Sequence, residues 1–309
     1  MRVITRRLPF FVATATIVVA SLVASSCSSV SDDAARVGDR SLSSDELNDL
    51  IVGYEKSTKG LEAIVEGPQE ADTVRNLLST WVTTSVLLDL IAEADGEVTE
   101  EALADTESML NEQPGFADAD QKVRELFILN TAATATLARL LAPATSDLAA
   151  AYEQGPTVSG VVCVRAILSG TKESIDVAAF RVASGEPFVD VAAELSIDPS
   201  GADGGVLGGP DGSQCIEFAS VMETVADEFV VALENTAIGQ VSTAFEIPNV
   251  GWAILLQRDF EEVGDDVIAL AGSQLAASAT IDAVRTAKVW VDAEYGRWDP
   301  STSAVIALG

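Results

Sequence analysis

The sequence pattern changes twice along the chain, and these changes constrain the fold most. In the first half, apolar residues recur at helical spacing, as they do from about Glu70 to Glu93. The run Val158–Leu168 is then apolar and β-branched, which is typical of a strand, and a glycine-rich loop follows at 201–212. Further along, the helical pattern returns, from about Ser273 to Ala293. The chain therefore predicts an α+β fold, with a mixed domain of about 100 residues between two helical parts.

The individual elements are placed by their spacing and their terminal residues. Ser43 and Glu46 have the spacing of a capping box, and Thr99 can cap a later helix. The predicted helices are 70–93, 99–110, 118–141, 146–153, 172–183, 187–195, 221–233 and 273–293, and the predicted strands include 158–168, 240–245 and 251–257. The last helix is too short to fold alone, so we expect it to pack on the N-terminal helices. The predicted parts are a helical module at 27–156, an inserted α/β domain at 157–259 and a C-terminal part at 260–309.

The first 27 residues have the pattern of an export signal. Three arginines precede an apolar run from Leu8 to Val23, and the small residues 24–26 come directly before Cys27. This pattern resembles a bacterial lipoprotein signal peptide, residues 1–26, after which Cys27 would carry the lipid. The alternative is a cleaved secretory signal in which Cys27 has no role. An uncleaved transmembrane anchor is not favoured, because the apolar run is shorter than the ~20 residues that a span needs. We therefore expect an extracytoplasmic lipoprotein of the cell membrane that faces outward.

The charge of the chain limits its partners. Without residues 1–26 the chain keeps 15 basic and 48 acidic residues, a formal charge of −33. Such a surface repels nucleic acid and anionic headgroups, so we expect no nucleic-acid partner and membrane contact only through lipid on Cys27. The chain has no histidine, which excludes Ser-His-Asp and Cys-His catalytic sets and argues against zinc. The glycine-rich loop lacks the spacing of a calcium or phosphate loop, so we expect no metal and no small-molecule cofactor.

Cys163 and Cys215 remain as a pair once Cys27 is set aside. An even pair of cysteines in an oxidising compartment favours a structural disulfide. The alternative is two buried free thiols, and the sequence alone does not decide between them.

Four motifs in order resemble a parvulin-type (PpiC) peptidyl-prolyl isomerase domain. They are Cys163–Leu168, Gly185–Phe188, the loop Ser196–Gly208 and Gly239–Ser242. With helices from both chain ends, the arrangement resembles the SurA-like and PrsA-like extracytoplasmic chaperones. The resemblance implies a helical SurA-N-like chaperone module built from both ends of the chain, with a parvulin-like α/β domain inserted. It also implies that the partners are unfolded or partly folded exported polypeptides.

The resemblance assigns site residues one position at a time. Asp198 stands where the family has an aspartate or cysteine facing the substrate, although Asp-Pro-Ser-Gly is also an ordinary turn sequence. Leu207 matches the apolar residue of the proline pocket and Phe218 its aromatic wall, while Cys215 falls near the usual methionine.

The two histidines of active parvulins are replaced by Ala166 and Ala253. Rotation about an X-Pro bond breaks no covalent bond and has a barrier of ~18–20 kcal/mol. A site without histidine can therefore still lower this barrier by binding the twisted amide more tightly than the planar one. The lost hydrogen-bond partners nevertheless predict a chaperone or foldase with weak or lost isomerase activity. The alternative is an active isomerase with an atypical, histidine-free site.

Overall fold

The computed structural model describes residues 32–58, 69–209 and 213–309. The predicted signal peptide 1–26 and the predicted lipidation site Cys27 lie outside the described residues.

The described residues of the N-terminal part form two short strands and five helices. These are β1 (Asp33–Val37), β2 (Arg40–Ser43), α1 (Ser44–Thr58), α2 (Gln69–Glu93), α3 (Glu100–Asn111), α4 (Gln121–Leu141) and α5 (Thr145–Tyr152). The predicted capping box is confirmed: Ser43 N donates to Glu46 Oε2 at 2.9 Å, and Glu46 N donates to Ser43 Oγ at 3.2 Å. Thr99 caps α3 by accepting from Ala102 N at 3.1 Å. Local chemistry at these helix starts therefore sets where the helices begin.

The middle part is built on a four-stranded antiparallel sheet. Its elements are α6 (Pro156–Ser159), β3 (Val161–Val162), β4 (Val164–Ser169), α7 (Lys172–Ala183), α8 (Phe188–Leu195), a 3-10 turn (Pro199–Asp203), β5 (Val206–Leu207), β6 (Ile216–Glu217), α9 (Phe218–Thr224), α10 (Asp227–Glu234), β7 (Phe245–Ile247) and β8 (Gly251–Gln257). The sheet order is β5-β4-β8-β7. Ile167 and Ile254 pack under α7 and α8 on one face, while Ala166 and Leu255 face α9 and α10 on the other. The predicted α+β fold class is confirmed.

Three elements of the middle part differ from the prediction. The expected strand from Val158 begins instead with α6, because Pro156 is well placed at a helix start. The expected helix 221–233 is two helices, since the Thr224 hydroxyl bonds back to Ser220 O and the acidic Asp227 favours a new N-terminus. The expected strand 240–245 forms only one bridge before β7, because the Ser242 side chain takes the place of a ladder bond to β8.

The C-terminal part begins with a long helix and ends in strands. It contains α11 (Phe260–Thr286), β9 (Val289–Val291), β10 (Arg297–Asp299) and β11 (Ala304–Ile306). The predicted helix 273–293 was wrong at both ends. Val289 and Val291 lie on β9, which pairs antiparallel with Val37 and Ala35 of β1, so strand pairing overrides the helical spacing. The three-stranded sheet β2-β1-β9 thus contains strands from both the N-terminal and the C-terminal part of the chain.

Helix α11 packs against α4, α2 and α5, as expected for a C-terminal helix that returns to the N-terminal helices. The packing is close at Gly272, where an added Cβ would lie 2.4 Å from the carbonyl oxygen of Ala138. By length and composition α11 could cross a membrane, and its residues Val263, Val267 and Ala271 pack in an apolar cluster with α5. Asp33–Gly309 forms one compact unit, and the division into 27–156, 157–259 and 260–309 stays a prediction.

Candidate functional site

The positions that lack histidine lie on one face of the middle sheet. Ala166 on β4 pairs with Leu255 on β8, and Ala253 pairs with Leu168. Because alternate residues of a strand share a face, Ala253 lies on the same face as Leu255 and therefore on the same face as Ala166. The resemblance to parvulins thus selected two positions that lie on one face of neighbouring strands, two residues apart in register.

The apolar residues predicted for the proline pocket lie on this same face. Leu207 on β5 and Phe218 at the start of α9 belong to one apolar cluster with Ala166. Leu207 is half-buried, but Ala166 is only 8% exposed and Phe218 only 7% exposed. The structure therefore brings these predicted residues together, but as part of a closed core.

Two aromatic residues of this cluster were missed by the sequence analysis. Phe229 on α10 and Phe245 on β7 make an edge-to-face contact, with ring centroids 6.0 Å apart. Phe229 and Leu233 are four residues apart and both buried, which is the spacing of a helix face packed on a sheet. That spacing was the signal in the sequence that could have placed Phe229 on this face.

The glycine pair of the loop has a structural role against β4. Ala166 N donates a hydrogen bond to Gly205 O at 2.7 Å. Gly205 has φ of +80°, and a Cβ there would lie 2.4 Å from the carbonyl oxygen of Ala166. Only glycine allows this approach, so the loop is held directly on the strand that carries the first histidine position.

The Asp198 carboxylate is engaged locally. It caps the 3-10 turn, where its Oδ1 accepts from Ser200 N at 2.9 Å. The Ser196 hydroxyl oxygen in turn accepts from Leu168 N at 3.2 Å, which ties the loop to β4. Asp198 is half-buried and lies outside the apolar cluster of Leu207. This geometry is that of the turn interpretation raised from the sequence.

Cys215 lies away from the predicted pocket. Its side chain is fully buried and forms a disulfide with Cys163, with Cα atoms 4.3 Å apart. The two cysteines pack with Val263 and Val267 of α11 rather than with Leu207. Cys215 therefore links the residue before β6 to Cys163, the residue between β3 and β4, and does not line the apolar cluster of Leu207.

A buried arginine adjoins this disulfide. Arg258, only 3% exposed, donates its backbone N–H to Cys163 O at 3.0 Å and its guanidinium to Glu262. Arg165 also donates to Glu262, at 3.0 Å. Partial burial would raise the pKa of Glu262, but the hydrogen bonds from the two arginines outweigh it and hold this pKa below its usual value.

An open groove lies at the β7 edge of the sheet, between α10 and residues 236–246. Its volume is about 740 Å³, and its walls include Val231 and Phe245 with Asp227, Glu228 and Glu246 at the sides. Asp198, Leu207 and Phe218 do not line it. Within the ranges that the structure describes, no three acidic or cysteine side chains are grouped so as to hold a metal ion.

Comparison with solved structures finds similar proteins at low sequence identity. The PrsA peptidylprolyl isomerase of Bacillus cereus is 18% identical, with a TM-score of 0.30, covering 85% of this chain and 94% of that one. PrsA of Bacillus subtilis is 17% identical, with a TM-score of 0.33, covering 82% and 90%. A SurA-like chaperone of Campylobacter jejuni is 18% identical, with a TM-score of 0.26, covering 80% and 92%. No protein-family model and no curated protein matches the sequence.

Proposed function

We propose that this chain is a membrane-attached extracytoplasmic chaperone that binds unfolded exported polypeptides and has little or no prolyl isomerase activity. The observation that carries the proposal is the closed face that holds Ala166 and Ala253. Both positions are buried and bear no hydrogen-bonding side chain, and Phe218 packs in the same apolar cluster as Ala166. A twisted amide would find neither an open pocket nor polar partners on this face.

Binding of unfolded chains is supported by apolar side chains that the fold leaves exposed. Phe180 is 72% exposed and Val177, one turn earlier on α7, is 52% exposed. Ile197, in the loop after α8, is 61% exposed. Exposed apolar groups of this kind mark interaction surfaces, and a protein that binds the unfolded chain lowers the concentration free to aggregate.

The chaperone proposal is tested by diluting a chemically denatured client into buffer with or without an equimolar amount of this chain. We expect light scattering from client aggregates to fall by at least about half, because mass action removes free unfolded chain. An inert protein at the same mass concentration is the control. Scattering equal to that control would refute the proposal.

Isomerase activity is the second candidate, because the fold keeps Ala166, Ala253 and Leu207 on one surface of the sheet. A protease-coupled assay on an X-Pro peptide measures it directly, and we expect the uncatalysed rate. The double variant Ala166→His with Ala253→His tests the surface itself. Activity in this folded variant would show that only the histidines are missing, whereas no gain would show that the pocket is closed.

The attachment of the chain to the membrane rests on Cys27 and is tested separately. We expect the chain made in bacterial cells to fractionate with membranes and the Cys27→Ser variant to lose that attachment, because no basic patch is expected to hold it to anionic lipid. A Ser29→Ala variant, with Cys27 intact, is the matched control. Equal membrane fractions for wild type and Cys27→Ser would contradict lipid attachment.

A further inference from the structure

The groove between α10 and residues 236–246 combines an apolar wall with an acidic rim. Val231 on α10 is 55% exposed, and Phe245 on β7 also lines the groove. Asp227, Glu228 and Glu246 carry the charge, and none of the described residues that line the groove is basic. A ligand that fits must therefore present apolar side chains inward and positive charge to the rim.

The groove also adjoins a strand edge. Among the described strands β7 is the outermost of the order β5-β4-β8-β7, so backbone groups on its outer side have no neighbouring strand. The bridge Val241–Leu256 and the pair Phe245–Ala253 differ in register by one residue, which is a β-bulge. The bulge confines regular pairing to Phe245–Ile247, so only a short partner can pair along this edge.

The dimensions of the groove fix the length of that partner. Helix α10 has eight residues, a span of about 12 Å. Extended chain rises about 3.3 Å per residue, so roughly four residues cover the groove. Alternate side chains of an extended segment point to opposite sides, as Phe245 and Glu246 do on β7, so apolar residues on one side can meet Val231 while basic residues on the other side meet Glu246.

We propose that this groove binds extended segments of unfolded polypeptide in which apolar and basic residues alternate, by strand addition to β7. The inference rests on the proposed chaperone function and assigns the client segment that it selects. Backbone hydrogen bonds to β7 supply attachment that is independent of sequence, and the rim supplies preference for lysine and arginine. The strongly acidic surface raises the association rate of such segments.

The direct test measures binding of a dye-labelled Lys-Val-Lys-Val-Lys-Val peptide by fluorescence anisotropy, using the chain without residues 1–27, which keeps the compact unit Asp33–Gly309. We expect saturable binding that weakens with salt. A peptide with glutamate for lysine, or with alternate backbone nitrogens methylated, should bind at least about tenfold more weakly, a loss of ~1.4 kcal/mol. Equal binding of all three peptides would overturn the proposal.

A matched pair of charge-reversal variants locates the site. The groove variant carries Asp227→Lys, Glu228→Lys and Glu246→Lys. The control carries Glu100→Lys, Glu101→Lys and Asp105→Lys on α3. It changes the net charge by the same amount as the groove variant and, like that variant, reverses two acidic residues in the first turn of a helix. We expect the groove variant to lose at least about tenfold in affinity and the control less than about twofold. Equal losses would show that overall charge, not the groove, binds the peptide.

The aggregation assay separates failure of this inference from failure of the chaperone proposal. If the wild-type chain protects the client and the groove variant protects it equally well, the groove assignment is wrong while the chaperone proposal stands. If the peptide binds the groove as expected but the wild-type chain gives no protection, the groove is a peptide site and the chaperone proposal is wrong.

Discussion

Removal of the Cys163–Cys215 disulfide is expected to destabilise the fold strongly. The two cysteines are 52 residues apart in sequence, and the bond encloses β4, α7, α8 and the glycine-rich loop. For a closed loop of this length the chain-entropy relation gives about 4 kcal/mol at 25 °C. Both sulfur atoms are buried against α11, so lost packing adds to this value rather than offsetting it.

The assay is urea unfolding of the wild type and of the double variant Cys163→Ala with Cys215→Ala. Both cysteines are replaced, so that neither position has a free thiol. We expect the free energy of unfolding to fall by about 4 kcal/mol and Tm by about 8–16 °C, at about 2–4 °C per kcal/mol for a chain of this size. The slope of free energy against urea should rise, because the unfolded chain without the crosslink exposes more surface. A change under about 1 kcal/mol with an unchanged slope would refute the loop-closure reasoning.

Three further predictions concern close packing and charge. Gly272→Val should destabilise the fold by about 1–3 kcal/mol in thermal unfolding, because its side chain would meet an α4 carbonyl, whereas Gly264→Ala on the same helix should be near neutral. Gly205→Ala should lower Tm through its positive φ and contact with β4, and an unchanged Tm would contradict the proposed loop contact. The pKa of Glu262 is lowered in the fold, so its ionised side chain stabilises the fold fully above the ordinary carboxyl pKa, and this stabilisation is lost as the pH falls through the lowered pKa. In a plot of unfolding free energy against pH, Glu262→Gln should therefore flatten the acid side.

Local chemistry allowed parts of the fold to be predicted from the sequence. The helix start after Ser43 follows from a capping box, and the start of α3 follows from the Thr99 side chain. Each depends on residues within four positions, so the sequence states it directly. The strand β8 was likewise predicted at its observed bounds, Gly251–Gln257, from its apolar, glycine-bounded run.

Elements that depend on distant partners were not predicted. Val289 and Val291 fit a helical spacing and also a strand, and only the pairing with β1 decides between them. Leu275, Ile281 and Val284 were all assigned to the last predicted helix, but Leu275 and Ile281 are 45% and 46% exposed whereas Val284 is buried. Leu275 and Val284 lie on opposite sides of α11, because nine residues make about two and a half turns of a helix.

The resemblance to parvulins selected the residues of the candidate site but did not show whether they are accessible. It selected Ala166 and Ala253, and the register of β4 and β8 puts these two residues on one surface of the sheet. Whether that surface was open depended on how α9 and α10 cover it, and the break between these helices was not predicted. The groove beside α10 follows from the same break and from a bulge that only the strand register reveals.

The pairing of β1 with β9 has a consequence for the order of synthesis. Val37 of β1 and Val289 of β9 pair although they are 252 residues apart, so the ribosome completes β1 long before it adds this second partner. Until then β1 has β2 alone, and a two-stranded hairpin is marginal in water. The free edge of β1 is a template for the wrong strand throughout that interval. A premature stop before residue 289 would therefore leave this edge permanently open.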